Sequence, residues 1–261
     1  MKFRFQRKYF SIPYVIFLAL FVIVPMIVIT VYAFSGPGGF FGPAGKFFSD
    51  GSKFHVLLVS LFIAIQTTII CLIIGYPIAY LLASKNYNKH AVLVMLFIMP
   101  MWINFVLRTA ATRDILFAIG ITGGEHPYLA TLIGMVYNYL PFVILPLYST
   151  MLKLDRSQME AAADLGASPV RVFISNVIPQ SLPGIISAIT MTLMPVMSSY
   201  VISDALSEGN ITLIGNSIYL SFANSQWHNG SFTAFLLLVL VLLTMWNTSG
   251  RKSEEVRGGL W

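Results

Sequence analysis

Long apolar segments separated by short polar ones dominate the pattern of this chain. Six are long enough to be membrane spans, at about 12–34, 56–83, 91–111, 129–152, 176–202 and 232–249. A helix needs about 20 predominantly apolar residues to cross a hydrocarbon core of about 30 Å. Because a segment surrounded by lipid must satisfy its own backbone hydrogen bonds, each run is predicted to be a helix. The pattern predicts an all-α integral membrane protein with residues 1–261 as a single transmembrane domain.

The composition also indicates a membrane protein. Of 261 residues, 57% are hydrophobic and 10% charged, whereas about a quarter of the residues in soluble domains are charged. The net charge is +6, but the basic residues lie between apolar runs and form no basic stripe, so no nucleic-acid partner is expected. The first run has about 23 residues, longer than the apolar core of a signal peptide, and is interpreted as a retained span.

The basic residues also predict an orientation. Across six crossings, twelve of the sixteen Lys and Arg residues fall on one side; the other side holds Lys46, Lys53, Arg113 and, near the end of the third span, Arg108. Cytoplasmic loops carry the excess of Lys and Arg. Both termini and the segment 155–175 are therefore predicted to be cytoplasmic.

The sequence carries no motif for catalysis or ion coupling. The four histidines are scattered rather than spaced as metal ligands, and Gly45-Lys46 lacks the upstream glycine of a phosphate-binding loop. No ionisable residue is expected in the middle of a span, where ion-coupled transporters keep one. We therefore expect no enzyme and no cofactor or metal in this chain, and a transporter driven by a partner. The alternatives are an ion-coupled carrier or channel, and a membrane enzyme or structural assembly factor.

The cytoplasmic segment 155–175 predicts two short helices. Asp155 followed by Gln158 has the spacing of a capping box, so a helix should begin at Arg156. Gly166 is a typical residue after a helix end, and Ser168-Pro169 is a typical start for a second helix. From these residues alone, a surface linker helix is the favoured interpretation.

Glu160-Ala161-Ala162, followed by three residues, Gly166 and the downstream Pro179, resembles the EAA motif of ABC-importer permeases. The usual Ile-x-Leu-Pro ending is altered here to Asn176-Val177-Ile178-Pro179. The resemblance implies a type I importer permease fold in which this loop, between spans four and five, docks on a cytoplasmic ATPase dimer that binds ATP and Mg. Glu160 would make a charge-assisted contact, while Ala161, Ala162 and Gly166 would allow close approach.

The likeness extends from about Gly75 to the last span and is nearest to the spermidine/putrescine permeases of the B type. The matching segments are Gly75-Tyr76-Pro77, Pro100-Met101-Trp102-Ile103-Asn104 with Arg108, Leu140-Pro141-Phe142 with Pro146-Leu147-Tyr148, Asp164-Leu165-Gly166-Ala167-Ser168, and Leu213-Ile214-Gly215-Asn216. The resemblance implies a polyamine importer of a prokaryotic plasma (inner) membrane, with an extracytoplasmic binding protein and a second, related permease. A homodimer and another small organic or cationic solute are the alternatives.

A polyamine path needs acidic groups or aromatic faces, because an uncompensated charge at mid-membrane is costly. Asp204 and Glu208 are candidates at the external mouth, with solvated loop acids as the alternative. Trp102 offers a cation-π face, although interfacial aromatics also anchor helices in the membrane. Weaker lining candidates are Tyr200, Tyr137 and Asn104, for which helix–helix hydrogen bonding is the alternative.

Overall fold

The computed structural model describes residues 11–36, 38, 42–84 and 92–258, and within these residues all regular structure is helical. The all-α prediction is therefore confirmed for the described part of the chain. The helices are α1 (Ser11–Leu18), α2 (Val24–Phe34), α3 (Gly42–Ser49), α4 (Gly51–Ala83), α5 (Val92–Ile98), α6 (Phe105–Ala118), α7 (Pro127–Met151), α8 (Arg156–Asp164), α9 (Pro169–Val172), α10 (Ile178–Ser198), α11 (Tyr200–Ser207), α12 (Ile214–Ala223) and α13 (Trp227–Gly258).

Four helical stretches are long and apolar enough to cross a membrane: Pro13–Phe34, Gly51–Ala83, Pro127–Met151 and Pro169–Ser198. The first joins α1 to α2 through a π-helical turn, Ala19–Ile23, and the last joins α9 to α10 through another, Phe173–Val177. They correspond to predicted spans one, two, four and five. The apolar part of α13, Trp227–Leu243, is shorter than these four, so the count of six spans stays a prediction.

The third predicted span, 91–111, is not one straight helix. Val92–Trp102 and Phe105–Ala118 meet at an angle of 96° and make a fifth span only if they are taken together. The stretch Met99–Trp102, which contains Pro100, is a 3-10 helix, and Ile103 is extended. Asn104 then caps α6, because its side chain accepts a hydrogen bond from the Val106 N–H at 2.8 Å. The apolar run predicts the hydrophobic length correctly but not this corner.

The end of the fifth predicted span, 176–202, also differs from the prediction. Helix α10 ends at Ser198, and Ser199 has φ −75° and ψ 95°, outside the helical region. Tyr200 then begins the separate helix α11. The predicted span therefore divides at Ser199, so that Tyr200 lies at a helix start rather than inside a continuous span.

The chain divides into two compact units. One comprises Met1–His55 and Ser217–Leu240, and the other Val56–Asn216 and Val241–Trp261. In the described part of the first unit, Phe34 packs edge-on against Phe235 with ring centroids 5.0 Å apart, and Phe47 lies 5.7 Å from Phe232. The prediction of a single domain over 1–261 is not tested by this division.

In the second unit, the contact between α7 and α10 is the most extensive between any two helices of the described residues. Val143, Ile144 and Leu147 are fully buried on α7, in one apolar cluster with Ala188 of α10 and Cys71 of α4. Cys71 is the only cysteine in the sequence, and its Sγ donates a weak hydrogen bond to the Val136 carbonyl at 3.6 Å. Cys71 is therefore a small buried hydrophobic side chain of this core.

Gly184 permits the close approach of α10 to α7. A Cβ at this position would lie 2.7 Å from Thr150 Oγ1, 2.8 Å from Thr150 Cβ and 3.3 Å from the Pro146 carbonyl oxygen. We predict that Gly184→Ala lowers the free energy of unfolding by about 1–3 kcal/mol, because packed helices must separate to admit the methyl group. Thermal unfolding of the purified protein in detergent measures this change.

The matched control is Gly45→Ala in α3, where an added Cβ meets no heavy atom within 4 Å. Its midpoint temperature should equal or exceed that of the wild type, since alanine is the better helix former. Equal midpoints for Gly184→Ala and Gly45→Ala would show that the α7–α10 contact does not depend on this glycine.

Candidate coupling segment and membrane cavity

The segment 155–175 contains the predicted helix, α8, which begins where the sequence predicts. The Asp155 carboxylate accepts hydrogen bonds from the Ser157 N–H at 3.0 Å and from the Ser157 hydroxyl at 2.7 Å. These bonds favour the charged carboxylate and hold the pKa of Asp155 below its usual value. The stabilisation they provide is complete above the carboxyl's ordinary pKa and is lost as pH falls through the lower native pKa.

The predicted capping box is only half formed. Gln158 does not return to the Asp155 backbone N–H; that group donates to Gln180 Oε1 at 2.9 Å instead. The Gln180 side chain also donates from Nε2 to Gln158 Oε1 at 3.3 Å. Gln180 lies in the first turn of α10, a position that the spacing within α8 does not reveal. It therefore ties the start of α8 to the start of a long helix.

Gly166 ends α8 as predicted. Its φ is +82°, and the Ala167 N–H donates to the Ala162 carbonyl at 3.1 Å while the Gly166 N–H donates to the Ala163 carbonyl at 2.9 Å. This pair of bonds is the Schellman motif, which requires a left-handed residue at the position of Gly166. The second predicted start is also present, because Ser168 caps α9 through the Arg171 N–H at 3.4 Å.

The surface of this segment is largely open. Glu160 and Ala161 are exposed, Ala162 is partly exposed, and Leu165 is 88% exposed. Glu160 also lines a cavity of about 330 Å³ with Arg156 and Met159 of α8, together with residues at the ends of α4 and α7: Tyr80, Leu81, Ala83, Ser84, Met151 and Leu154. The segment thus presents a small-residue surface beside a recess that contains a carboxylate.

A second cavity, of about 380 Å³, lies where α6, α7, α10 and α11 meet; we call it the Arg108 cavity. Its lining residues are Phe105, Arg108, Asn138, Tyr139, Phe142, Pro195, Ser198, Ser199, Tyr200, Val201 and Ile202. Most of its surface is apolar and aromatic. The break of α10 at Ser199 and the corner before α6 both contribute to it, because the first residues after each break, Tyr200 and Phe105, face the cavity.

Arg108 is the buried charge of this cavity, only 7% exposed. Among the residues that the structure describes, its Nε and Nη1 have no hydrogen-bond partner, and neither has the Oδ1 atom of Asn138, which is 2% exposed. The Asn138 Nδ2 group donates to the Gly134 carbonyl at 2.9 Å. The cavity therefore offers both an unused cationic donor and an unused neutral acceptor.

The Tyr139 hydroxyl closes one wall of the cavity by donating to the Pro195 carbonyl at 3.2 Å. That carbonyl lies in the last turn of α10, and the Ser199 N–H, four residues on, donates to Val196 instead. The single Ser198 hydroxyl proton is shared between the Met194 carbonyl at 3.1 Å and the Pro195 carbonyl at 3.2 Å, whereas Tyr139 satisfies a backbone group that the helix end leaves without its usual donor. The bond positions the Tyr139 ring beside Arg108 and Tyr200.

The six predicted path residues do not form one site. Tyr200 lines the Arg108 cavity. Trp102 is 86% exposed at the corner before α6, and Asn104 serves as the cap of α6. Tyr137 is exposed on α7 and is not among the lining residues. Their predicted roles on a substrate path stay predictions.

The two predicted acids lie outside the Arg108 cavity. Asp204 is exposed on α11. Glu208 has φ 52° at the end of that helix and lines a third cavity, of about 300 Å³, with Arg113 and Asp114. The structure therefore places Glu208 in the wall of a cavity that Arg113 and Asp114 of α6 also line, and leaves Asp204 on the surface.

Asn138 and Tyr139 are the cavity residues that sequence reasoning overlooks, whereas Arg108 is noted there only as a basic residue near a span end and as part of the resemblance. The structure adds that Arg108, which the sequence places near the end of the third span, is buried within α6 after the corner at Ile103 and Asn104. The expectation that no ionisable residue lies in the middle of a span stays a prediction. An arginine and an asparagine within apolar runs are themselves a signal, since buried polar groups in membrane segments are costly and tend to be functional.

Comparison with known proteins identifies the family, although no protein-family model matches the chain. The spermidine/putrescine transport system permease protein PotB of Escherichia coli (strain K12) is 35% identical over 225 residues, which cover 79% of this chain and 82% of that protein. The chain belongs to the PotB family. A PotB homolog of Mycoplasma genitalium is 28% identical over 235 residues, covering 82% of this chain and 80% of that protein.

Solved structures agree on the fold. A chain of a bacterial alginate ABC transporter, in complex with an alginate pentasaccharide-bound periplasmic protein, has a TM-score of 0.68 at 14% identity over 92% of this chain and 91% of that one. A chain of an amino acid ABC transporter with histidines has a TM-score of 0.55 at 16% identity, over 77% and 92%. This PotB-family chain is a multi-pass membrane permease, and the relatives it matches are permease subunits rather than enzymes.

We predict that Gly166→Leu abolishes transport by the assembled importer while the protein still inserts into the membrane. A left-handed backbone costs a side chain about 1–2 kcal/mol, which favours unwinding of the α8 end. The control is Gly120→Leu: Gly120 also has φ +82°, and like Gly166 it has no heavy atom within 4 Å of an added Cβ. Uptake assays and membrane fractionation measure both, and equal uptake by the two variants would argue against a special role for the α8 end.

We also predict that Gln180→Leu weakens coupling, because it removes the bonds to Asp155 and Gln158 while keeping a side chain of similar size. Substrate uptake per ATP hydrolysed should fall severalfold while the importer still assembles. Ser175→Ala, at an exposed position just before α10, is the control and should leave the ratio unchanged. An unaltered ratio of uptake to ATP hydrolysis in Gln180→Leu would mean that the hydrogen bonds of Gln180 do not transmit displacement of α8 to α10.

Proposed function

We propose that the chain is one of two permease subunits of an ATP-driven ABC importer for polyamines, in the plasma (inner) membrane of a prokaryote. The PotB relatives, named as spermidine/putrescine permeases, support the cargo. The observation that carries the proposal is the exposed segment 155–175, in which a short helix is capped at both ends and bonded to α10. A displacement of such a segment by a docked partner protein can be transmitted to the long apolar helix α10.

The ATPase docks on this segment. Glu160 makes a charge-assisted hydrogen bond with the ATPase, and Ala161, Ala162 and Gly166 allow its surface to approach closely. A cytoplasmic ATPase dimer binds and hydrolyses ATP with Mg, and this chain contributes neither nucleotide site nor cofactor. The openness of α8 supports this assignment, because a helix with a small-residue face and no cover is available for a partner.

The topology is six spans with both termini in the cytoplasm, and residues 1–261 act as one permease domain. The distribution of Lys and Arg in the sequence supports this orientation. The four long apolar helices and the bent pair account for five spans, and α13 supplies the sixth.

The substrate path includes the Arg108 cavity. The rings of Tyr139, Phe142 and Tyr200 offer faces to an ammonium group, and the free Oδ1 of Asn138 can accept a hydrogen bond from it. Asp204 and Glu208 receive substrate at the external mouth, while Trp102, Asn104 and Tyr137 lie further along the path. A binding protein delivers the substrate from outside, near residues 203–231, and a second, related permease forms the other half of the path.

Uptake by the purified importer in lipid vesicles tests this function. With ATP inside the vesicles and the binding protein outside, labelled spermidine should accumulate, and excess unlabelled putrescine should compete. Vesicles without ATP and vesicles without the binding protein are the controls. Accumulation without ATP would identify an ion-coupled carrier, and competition only by a solute that is not a polyamine would identify a different cargo.

A further inference from the structure

Arg108 is a buried cation whose charge nothing in the described part of this chain compensates. Its side chain is 7% exposed, and two of its three guanidinium nitrogens, Nε and Nη1, are buried without a hydrogen bond. Removing a cation from water is strongly unfavourable unless an opposite charge and hydrogen bonds replace the lost hydration. In the assembled importer, a further group must therefore reach this guanidinium.

The acids of this chain whose side chains the structure describes do not supply that group. No carboxylate lines the Arg108 cavity. Asp114, on the same helix, pairs with Arg113 at 3.4 Å, and the other ion pair in the described region joins Lys53 to Asp50. Asp204 is exposed on α11, and Glu208 belongs to the third cavity. Within the part of the chain whose side chains the structure describes, no carboxylate supplies the compensating charge, so we look for it on a partner.

The chemistry of the cavity restricts which group can supply the compensating negative charge. Lipid tails carry no charge and do not supply it. A cationic polyamine would be repelled by the guanidinium, and this exclusion rests on the proposed function, in which the cargo is a polyamine. Near Arg108 in the sequence, the apolar side chains of Trp102, Phe105 and Leu107 are exposed, and Phe105 also lines the cavity. Exposed apolar side chains of this kind are typical of a surface covered by lipid or by another subunit. A buried arginine inside such a surface is complementary to an acidic side chain on a covering subunit.

We propose that Arg108 is the receptor of an intersubunit ion pair, in which an aspartate or glutamate from the second permease enters the Arg108 cavity and binds the Nε and Nη1 donors. Arginine binds carboxylates bidentately, so the pair sets the register of the two subunits as well as their charge balance. Neutralising the guanidinium also removes an electrostatic barrier, so that an ammonium group can use the acceptor Asn138 and the aromatic faces of the same cavity.

The first test is charge reversal in the complete importer. Arg108→Glu places two carboxylates together, so co-purification of the second permease and ATP hydrolysis stimulated by the binding protein should each fall at least tenfold. The control is Arg113→Glu, on the same helix but 53% exposed, for which both should stay within twofold of wild type. Equal effects of the two substitutions would overturn the proposal.

Rescue identifies the partner residue. In the Arg108→Glu background, each acidic residue in the apolar spans of the second permease is replaced by lysine in turn. One such replacement should restore co-purification and stimulated ATP hydrolysis to at least a third of wild type. If every replacement fails, the intersubunit pair does not exist.

A milder variant covers the case in which Arg108→Glu does not fold. Arg108→Gln leaves the partner carboxylate without its cation, and a buried carboxylate without a partner binds a proton more readily. ATP hydrolysis by this variant, expressed relative to wild type at the same pH, should therefore rise severalfold as pH falls from 8 to 6. A ratio that is independent of pH would contradict the pair.

A free anion is the remaining candidate for the group that pairs with Arg108. Measurements on the wild-type importer distinguish a free anion from an acidic side chain of the second permease. Stimulated ATP hydrolysis should be the same in acetate, chloride and a large impermeant sulfonate; dependence on acetate or chloride would overturn the subunit pair. These readouts do not require that the cargo be a polyamine. Rescue by charge exchange without spermidine uptake would refute the cargo alone, whereas spermidine uptake without rescue would refute the ion pair alone.

Discussion

Backbone hydrogen bonding within an apolar environment is the constraint on which the rest of this structure depends. A peptide group in lipid cannot bond to water, so each interruption of a helix must be satisfied by the protein itself. At the corner before α6, the Asn104 side chain accepts from the Val106 N–H. At the end of α10, the Tyr139 hydroxyl donates to the Pro195 carbonyl. The two interruptions border the Arg108 cavity, so the cavity exists where helices stop and side chains replace backbone partners.

The hydrophobic pattern predicts the helices better than it predicts their ends. Spans one, two, four and five appear as long apolar helices because length and apolarity alone decide whether a segment can cross a bilayer. The corner at Ile103 and Asn104 does not follow from apolarity, since Met99–Trp102 is as hydrophobic as a straight span would be. It arises from local backbone geometry near Pro100 and from a side-chain cap, and a hydropathy pattern records neither.

The two candidate sites differ in how far sequence reveals them. The segment 155–175 is local: Asp155, Gly166 and Ser168 act on backbone groups within five residues, so its helix start, helix end and second start are predictable. The Arg108 cavity is not local, because Arg108, Asn138 and Tyr200 come from α6, α7 and α11, and both α6 and α11 begin after a break that the hydropathy pattern does not predict. Gln180 lies between these cases: it completes a local capping pattern from a residue 25 positions away.

The only cysteine has a practical consequence for observing this protein at work. Cys71 is fully buried in the α4–α7 core, with its thiol directed to the Val136 carbonyl, so thiol reagents that label folded proteins from solution do not reach it. A cysteine introduced on exposed α8 would then be the single reactive thiol of the native fold. A spin label or fluorophore attached there can follow the displacement of α8 during turnover in the otherwise natural sequence.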